Sequence, residues 1–282
     1  MKLPTNKKYR GVIVPAVTPL KADHELDEWG VEKLFAFFRR HGVLPFIMGT
    51  TGEASSLPMR IRQQYIRMAA RLKQPGEMLY VGISSNCLED SVELGKFCFE
   101  EGVDVVVANL PPVYALTEGQ MKQYFELLSQ RVGGPLMIYN IPATTHQSIP
   151  LRVIDELSRH RNIVGIKDSE RDEERLKQSL QLWSGRPDFS HFLGWAAKSS
   201  FALLNGGDGL VPSTGNIAPG IYREMMEAAE KGDVKKLADL QEQSDRMGAS
   251  YQSGGTLGES LAVLKSLMHK AGICERYMMP PL

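Results

Sequence analysis

VDVVVANL at residues 103–110 and PLMIYNI at 135–141 are continuously apolar rather than alternating. A strand that faces water on one side alternates. A strand buried on both faces, as in a parallel sheet, does not. Working outward, similar short runs fall at 11–20, 43–49, 78–84, 163–169, 191–195 and 209–214, which makes eight in all. Their spacing is roughly 30 residues, the size of one strand–helix unit. The segments between them have helical period. Val31, Leu34, Phe35 and Phe38 stand at i, i+3, i+4 and i+7, and Ile61, Tyr65, Met68 and Leu72 line up along one face in the same way. Thr117 with Gln120 forms a capping box ahead of Met121, Tyr124 and Leu128, and Pro150 opens a helix carrying Leu151, Ile154 and Leu157.

Eight such units leave a closed barrel or a doubly wound open sheet. The first strand exits through Val17-Thr18-Pro19-Leu20, without the GxGxxG turn a dinucleotide site would need. The expected fold is therefore α/β, a (β/α)8 barrel with its site at the C-terminal strand ends. Two or three helices follow the eighth strand, the last marked by Leu257, Leu261, Leu264 and Leu267. Residues 1–218 read as the barrel core, and 219–282 as the last barrel helix plus a helical extension of the same structural domain.

The 282 residues carry 33 Lys and Arg against 33 Asp and Glu, which points to neither nucleic acid nor a membrane surface as partner. Three cysteines, Cys87, Cys98 and Cys274, form no CxxC pair. They argue against a disulfide framework or a thiolate zinc site, and fit a reducing cytoplasm. Residues 1–10 are basic, but the run after them is short and holds two prolines, so it reads as a strand and not as a signal-peptide core. No run reaches the ~20 apolar residues of a membrane helix. There is no HExxH, and no metal or cofactor is expected.

Three polar features interrupt the strand ends. Lys167 lies in Ile163-Val-Gly-Ile-Lys-Asp-Ser169. An amine there is costly unless paired or functional. It is either salt-bridged to Asp168 or a glutamate, or it is a nucleophile. An ordinary lysine, with pKa ~10.4, is under ~0.1% neutral at pH 7. Desolvation in a dry strand interior raises that fraction. A neutral amine attacks a ketone to give an iminium, an electron sink for carbon–carbon cleavage. Gly49-Thr50-Thr51-Gly52-Glu53-Ala54 follows the second strand, and its turn can converge backbone N–H groups on a carboxylate. It can also be an ordinary loop. Tyr139, in Tyr139-Asn-Ile-Pro142, is either a proton carrier or a buried structural phenol. Together they supply an amine, an anion loop and a proton carrier at one barrel end, which is what a 2-oxo-acid aldolase requires.

The order GTTGEA, YNIP, GIKDS, then Gly206-Gly-Asp-Gly209 with Ser213, Thr214 and Asn216, resembles the dihydrodipicolinate synthase and N-acetylneuraminate lyase family over nearly the whole chain. The resemblance implies a (β/α)8 barrel, usually tetrameric, with pyruvate as the 2-oxo acid and no cofactor. It implies that Lys167 is the Schiff-base lysine and Tyr139 the relay tyrosine. Thr50 aligns the relay, and Thr51, Gly49 and Gly52 hold the pyruvate carboxylate. A tyrosine from a neighbouring subunit often joins the relay. Here Leu110-Pro-Pro-Val-Tyr114 makes Tyr114 the candidate, although Pro112-Val113 replaces the usual double tyrosine. Gly194, Ser169 and Ser213 are the further candidate substrate contacts.

The departures concern the second substrate. Synthases of the family resemble one another in an arginine five positions after the relay tyrosine, where this chain has Thr144. Threonine cannot supply a bidentate fork. Sialic acid lyases carry acids after the glycine of strand seven, whereas here Gly194 is followed by Trp195-Ala-Ala197. Trp195 is either a packing residue or a pocket wall. Lys167-Asp168-Ser169 and the Asp208 loop look more like aldolases of 2-oxo-3-deoxy sugar acids. His146, after the YNIP turn, is a substrate contact or a loop residue. The expected activity is a class I lyase cleaving a 4-hydroxy-2-oxo acid, a 2-keto-3-deoxy sugar acid, to pyruvate and an aldehyde. The alternatives are a dihydrodipicolinate synthase-like condensation, an N-acetylneuraminate lyase, a 4-hydroxy-2-oxoglutarate aldolase, an imine-based dehydratase and a non-catalytic 2-oxo-acid-binding barrel.

Overall fold

The computed structural model describes residues 7–282, so the first six residues of the basic N-terminal stretch lie outside the described part. Eight parallel strands close into one barrel in sequence order: β1 Gly11–Pro15, β2 Leu44–Ile47, β3 Tyr80–Gly82, β4 Val105–Asn109, β5 Leu136–Asn140, β6 Ile163–Asp168, β7 Ser190–Leu193 and β8 Gly209–Leu210. Seven of the expected runs each contain one of them, and β7 begins one residue before its run. The strands are shorter than the apolar runs, most visibly at β1 and β8. Proline has no N–H to give a ladder, and Pro15 is the last residue of β1 while Pro212 follows just past β8.

The helices that cover the barrel are α1 Glu28–Arg40, α2 Met59–Leu72, α3 Leu88–Glu100, α4 Glu118–Arg131, a single turn α5 Pro142–Thr145, then α6 Leu151–Leu157, α7 Glu173–Trp183, α8 Ser199–Leu204 and α9 Pro219–Lys231. Two more, α10 Val234–Gln252 and α11 Leu257–Lys270, extend the chain beyond barrel needs. The apolar stripes face inward as their spacing requires: Val31, Leu34, Phe35 and Phe38 are all buried. The expected capping box forms at Thr117 with Gln120, and a second is found at Thr256 with Glu259. Such caps are typically worth ~1 kcal/mol each. No helix of the described residues is long and apolar enough to cross a membrane.

Two cores result. Outward residues such as Val106, Ala108, Leu136, Ile138 and Ile166 pack under the helices. Alternate residues point inward and fill the barrel: Ile13, Phe46, Tyr80, Val105, Val107, Met137, Tyr139 and Phe192. Room for Phe192 comes from Gly209, where a Cβ would stand 2.2 Å from its ring. The base of the barrel is closed by a buried ion pair. Lys7 Nζ meets Asp208 Oδ2 at 2.8 Å and donates to the carbonyls of Trp183 and Phe189 at 3.0 and 3.1 Å. Asp208 precedes β8, so this part of the glycine loop lies at the end opposite the candidate site.

Candidate active site

The register of the sheet brings the site together. Tyr139 of β5 pairs with Lys167 of β6, which pairs with Phe192 of β7. Because Tyr139 and Phe192 point into the barrel, so does Lys167, and its neighbour Asp168 points out. Asp168 is held there by Arg175 Nε at 2.8 Å and by Asn140 Nδ2 at 2.9 Å. It is therefore not the partner of Lys167, and no carboxylate of the described residues is within 4 Å of the Lys167 amine.

Lys167 is 4% exposed. Its Nζ lies 3.7 Å from the centroid of the Tyr139 ring and 4.9 Å from that of Phe46. Burial lowers its pKa from the ordinary lysine value, because an ammonium loses hydration that these walls do not replace. Tyr139 acts against that trend and does not reverse it. Tyr139 is buried, its ring nearly perpendicular to that of Phe46, and its phenol oxygen is 3.4 Å from Thr50 Oγ1.

The loop that carries Thr50 is tightly determined. Its Gly52, Glu53 and Ala54 amides turn back onto the carbonyls of Gly49 and Thr50. Those of Thr50 and Thr51 donate to no atom of the described residues, which leaves two N–H groups for an anion. Thr18 Oγ1 donates to the Gly52 carbonyl at 2.6 Å, and a Cβ on Gly52 would stand 2.9 Å from the Ala16 carbonyl. Two non-glycine residues in the left-handed region bracket the turn, Met48 at φ 61° and Glu53 at φ 60°. Backbone strain of this kind persists only where the surroundings over-determine it.

A cavity of about 290 Å³ opens beside these groups, with Gly49, Thr50, Tyr139 and Thr144 in its wall. Arg62 of α2 also lines it, a cation that sequence reading missed. Its Nε donates to the Leu57 carbonyl at 2.9 Å, and burial lowers its pKa despite the nearby Asp90.

The other expected residues divide. Ser169 and Gly194 are in direct contact, since a Cβ on Gly194 would stand 2.0 Å from Ser169 Oγ. The Ser213 hydroxyl is bonded to Tyr251 Oη at 2.7 Å, and Tyr251 also reaches Thr214 at 3.0 Å. Tyr114 is 77% exposed and makes no hydrogen bond to Thr50 or Tyr139 among the described residues. Trp195 packs on the outer core with Lys198 Nζ 5.6 Å from its ring centroid, which favours the packing role. His146 is an exposed cap of α5 at φ 57°. Asn216, part of the family pattern but given no role in the sequence, ties the turn after β8 to the exit of β1 through the Pro15 carbonyl and the Val17 amide at 2.9 and 3.1 Å.

Known proteins resemble this chain over nearly its whole length. A family model described as the dihydrodipicolinate synthetase family matches residues 8–282. A protein of Thermofilum pendens called an uncharacterized DapA-like lyase is 31% identical over 268 residues, covering 93% of this chain and 88% of that one. Escherichia coli K12 YagE, provisionally named a 2-dehydro-3-deoxy-D-gluconate aldolase, is 29% identical over 253 residues, covering 89% and 84%. Its crystal structure in complex with pyruvate superposes with a TM-score of 0.92, covering 98% of this chain and 93% of that one, at 27% identity. A dihydrodipicolinate synthase from Bacteroides thetaiotaomicron superposes with a TM-score of 0.93, covering 99% and 94%, at 29% identity.

Proposed function

Since the chain belongs to the dihydrodipicolinate synthetase family and is a lyase of its class I pyruvate aldolase type, we propose that it cleaves a 2-keto-3-deoxy sugar acid, reversibly, to pyruvate and an aldehyde. The observation that carries this reading is a buried, carboxylate-free Lys167 amine against the phenol of Tyr139, itself next to Thr50.

The neutral Lys167 amine adds to the C2 ketone, and loss of water gives the iminium. Thr51 and the two unused loop amides hold the C1 carboxylate. Tyr139, aligned by Thr50, takes the C4 hydroxyl proton as the C3–C4 electron pair moves into the iminium. The aldehyde leaves, the resulting enamine is protonated at C3, and water releases pyruvate. Exposed Tyr114 serves this site only if a second copy of the chain brings it there, as in a tetramer.

Only neutral Lys167 attacks, so the acid limb of activity follows the amine. Its folded pKa is lowered, so kcat/KM should rise with pH and level off below the ~10.4 of an ordinary lysine. A pH profile of kcat/KM checks this, and an acid limb at the ordinary lysine position would contradict it.

The second substrate follows from Thr144 in the cavity wall. A missing arginine removes a charge-assisted contact of ~1.5–3 kcal/mol, and unpaired buried sugar hydroxyls cost ~1–3 kcal/mol each. Ser169 remains for a short hydroxylated tail. We expect a 2-keto-3-deoxygluconate-type acid to exceed N-acetylneuraminate in kcat/KM by roughly 10- to 100-fold. Condensation of pyruvate with aspartate semialdehyde should be negligible. Arg62 favours a second reading, an aldehyde bearing a carboxylate, as glyoxylate released from 4-hydroxy-2-oxoglutarate. Pyruvate release from the three oxo acids, with the condensation assayed beside them, decides among these. Efficient use of the sialic acid or of the semialdehyde would overturn the assignment.

A further inference from the structure

Glu53 is the fifth residue of the anion loop, and its carboxylate is buried far from water. One oxygen lies 2.7 Å from Lys265 Nζ of α11, with both side chains 0% exposed. The other accepts from the Met279 amide at 2.6 Å. Lys265 also donates to the Tyr277 carbonyl. Two groups from the last part of the chain thus converge on one loop side chain, and one of them is itself anchored to the Tyr277 carbonyl. Burial lowers the pKa of Lys265 while Glu53 opposes the shift.

Stability alone does not account for this arrangement. Two ions taken out of water cost more than an apolar pair of similar volume, and such pairs are often replaceable without loss of stability. What an apolar pair lacks is direction. Glu53 holds a left-handed backbone that favours glycine, between the two free amides and the first helical turn after them. The carboxylate pins that strained residue at two points. The Thr51 and Thr50 amides lie two and three residues upstream of it.

We propose that Glu53 and Lys265 are positioning residues for the 2-oxo-acid site, and that α11 with the chain end sets the geometry of the carboxylate-binding loop. The inference rests on the functional reading above, because it takes that loop as the carboxylate subsite. It predicts that the pair acts on substrate binding through loop geometry and leaves the amine and the phenol in place.

The test uses the full chain with Glu53→Gly and Lys265→Met together. Glycine retains the left-handed turn, and methionine leaves no lone buried charge. Glu53→Gln is the milder companion, keeping an acceptor for the Met279 amide. Thermal melts identify which variant folds as the parent does. In that variant we expect half-saturation by pyruvate, read by borohydride trapping on Lys167, to need roughly tenfold more pyruvate, an affinity change of about 1.4 kcal/mol. At saturating pyruvate the trapped yield should be that of the parent. Amide hydrogen exchange in residues 49–54 should quicken, with the strands unchanged. A well-folded double variant with unchanged half-saturation and unchanged loop exchange would make the pair structural only and overturn the proposal. Should the parent itself take no adduct, the functional reading fails, and the exchange result still decides whether the chain end fixes the loop.

Discussion

A Lys167→Ala protein should take no covalent adduct when pyruvate and borohydride are added together, whereas the parent takes one, located on Lys167 by peptide mass spectrometry. Turnover should fall by ~10⁴-fold or more, the scale on which enzymes lose rate with their nucleophile. Lys167 is buried without a carboxylate, and among the described residues it alone places an amine over the Tyr139 ring. Removing it takes away the electron sink, and no neighbouring group can form an imine in its place. Folding should survive, because alanine removes a desolvated amine and breaks no ion pair of the described residues. An adduct on another lysine, or none on the parent, would sink the mechanism.

Tyr139→Phe should lower kcat by roughly 10²–10⁴, the usual size for a lost acid–base group. The substitution retains the ring that lies against Lys167 and Phe46 and deletes only the oxygen 3.4 Å from Thr50. Cleavage should suffer more than adduct formation, since the phenol takes the C4 hydroxyl proton. Rapid-quench comparison of adduct formation with pyruvate release separates the two steps. Near-parental turnover would make Tyr139 a packing residue.

Much of this was legible in the sequence, for identifiable reasons. Continuous apolar runs such as VDVVVANL mark strands covered on both faces, and their spacing leaves little but a barrel. Strand parity then puts Lys167 inside and Asp168 outside, so the choice between nucleophile and salt bridge turned on which face each residue takes. The open site residues follow irregular backbone. Ser213 comes after a two-residue strand, where no period predicts side-chain direction, and its hydroxyl is bonded to Tyr251. Trp195, just past β7, packs on the core for the same want of a pattern. The Glu53 network joins positions 226 residues apart at Met279, which no local rule reaches. One trace was visible: Leu261, Leu264, Lys265 and Met268 share the buried face of α11, so a lysine sits within an apolar stripe. A charge in such a stripe asks for a partner, although the sequence does not say which.

Closure of the barrel has a consequence for synthesis. Gly11 pairs with Gly209, and Lys7 with Asp208, so the first strand meets its second neighbour only after some 200 residues have been made. At ~5–20 residues per second, that leaves β1 with one unpaired edge for roughly 10–40 s on the ribosome. An open strand edge is a template for pairing with other chains. In β1 that edge is short and ends at Pro15, which gives a nascent neighbour little to zip onto. The proline that trims the first strand in the finished barrel thus also protects the half-made one from its siblings on a crowded polysome.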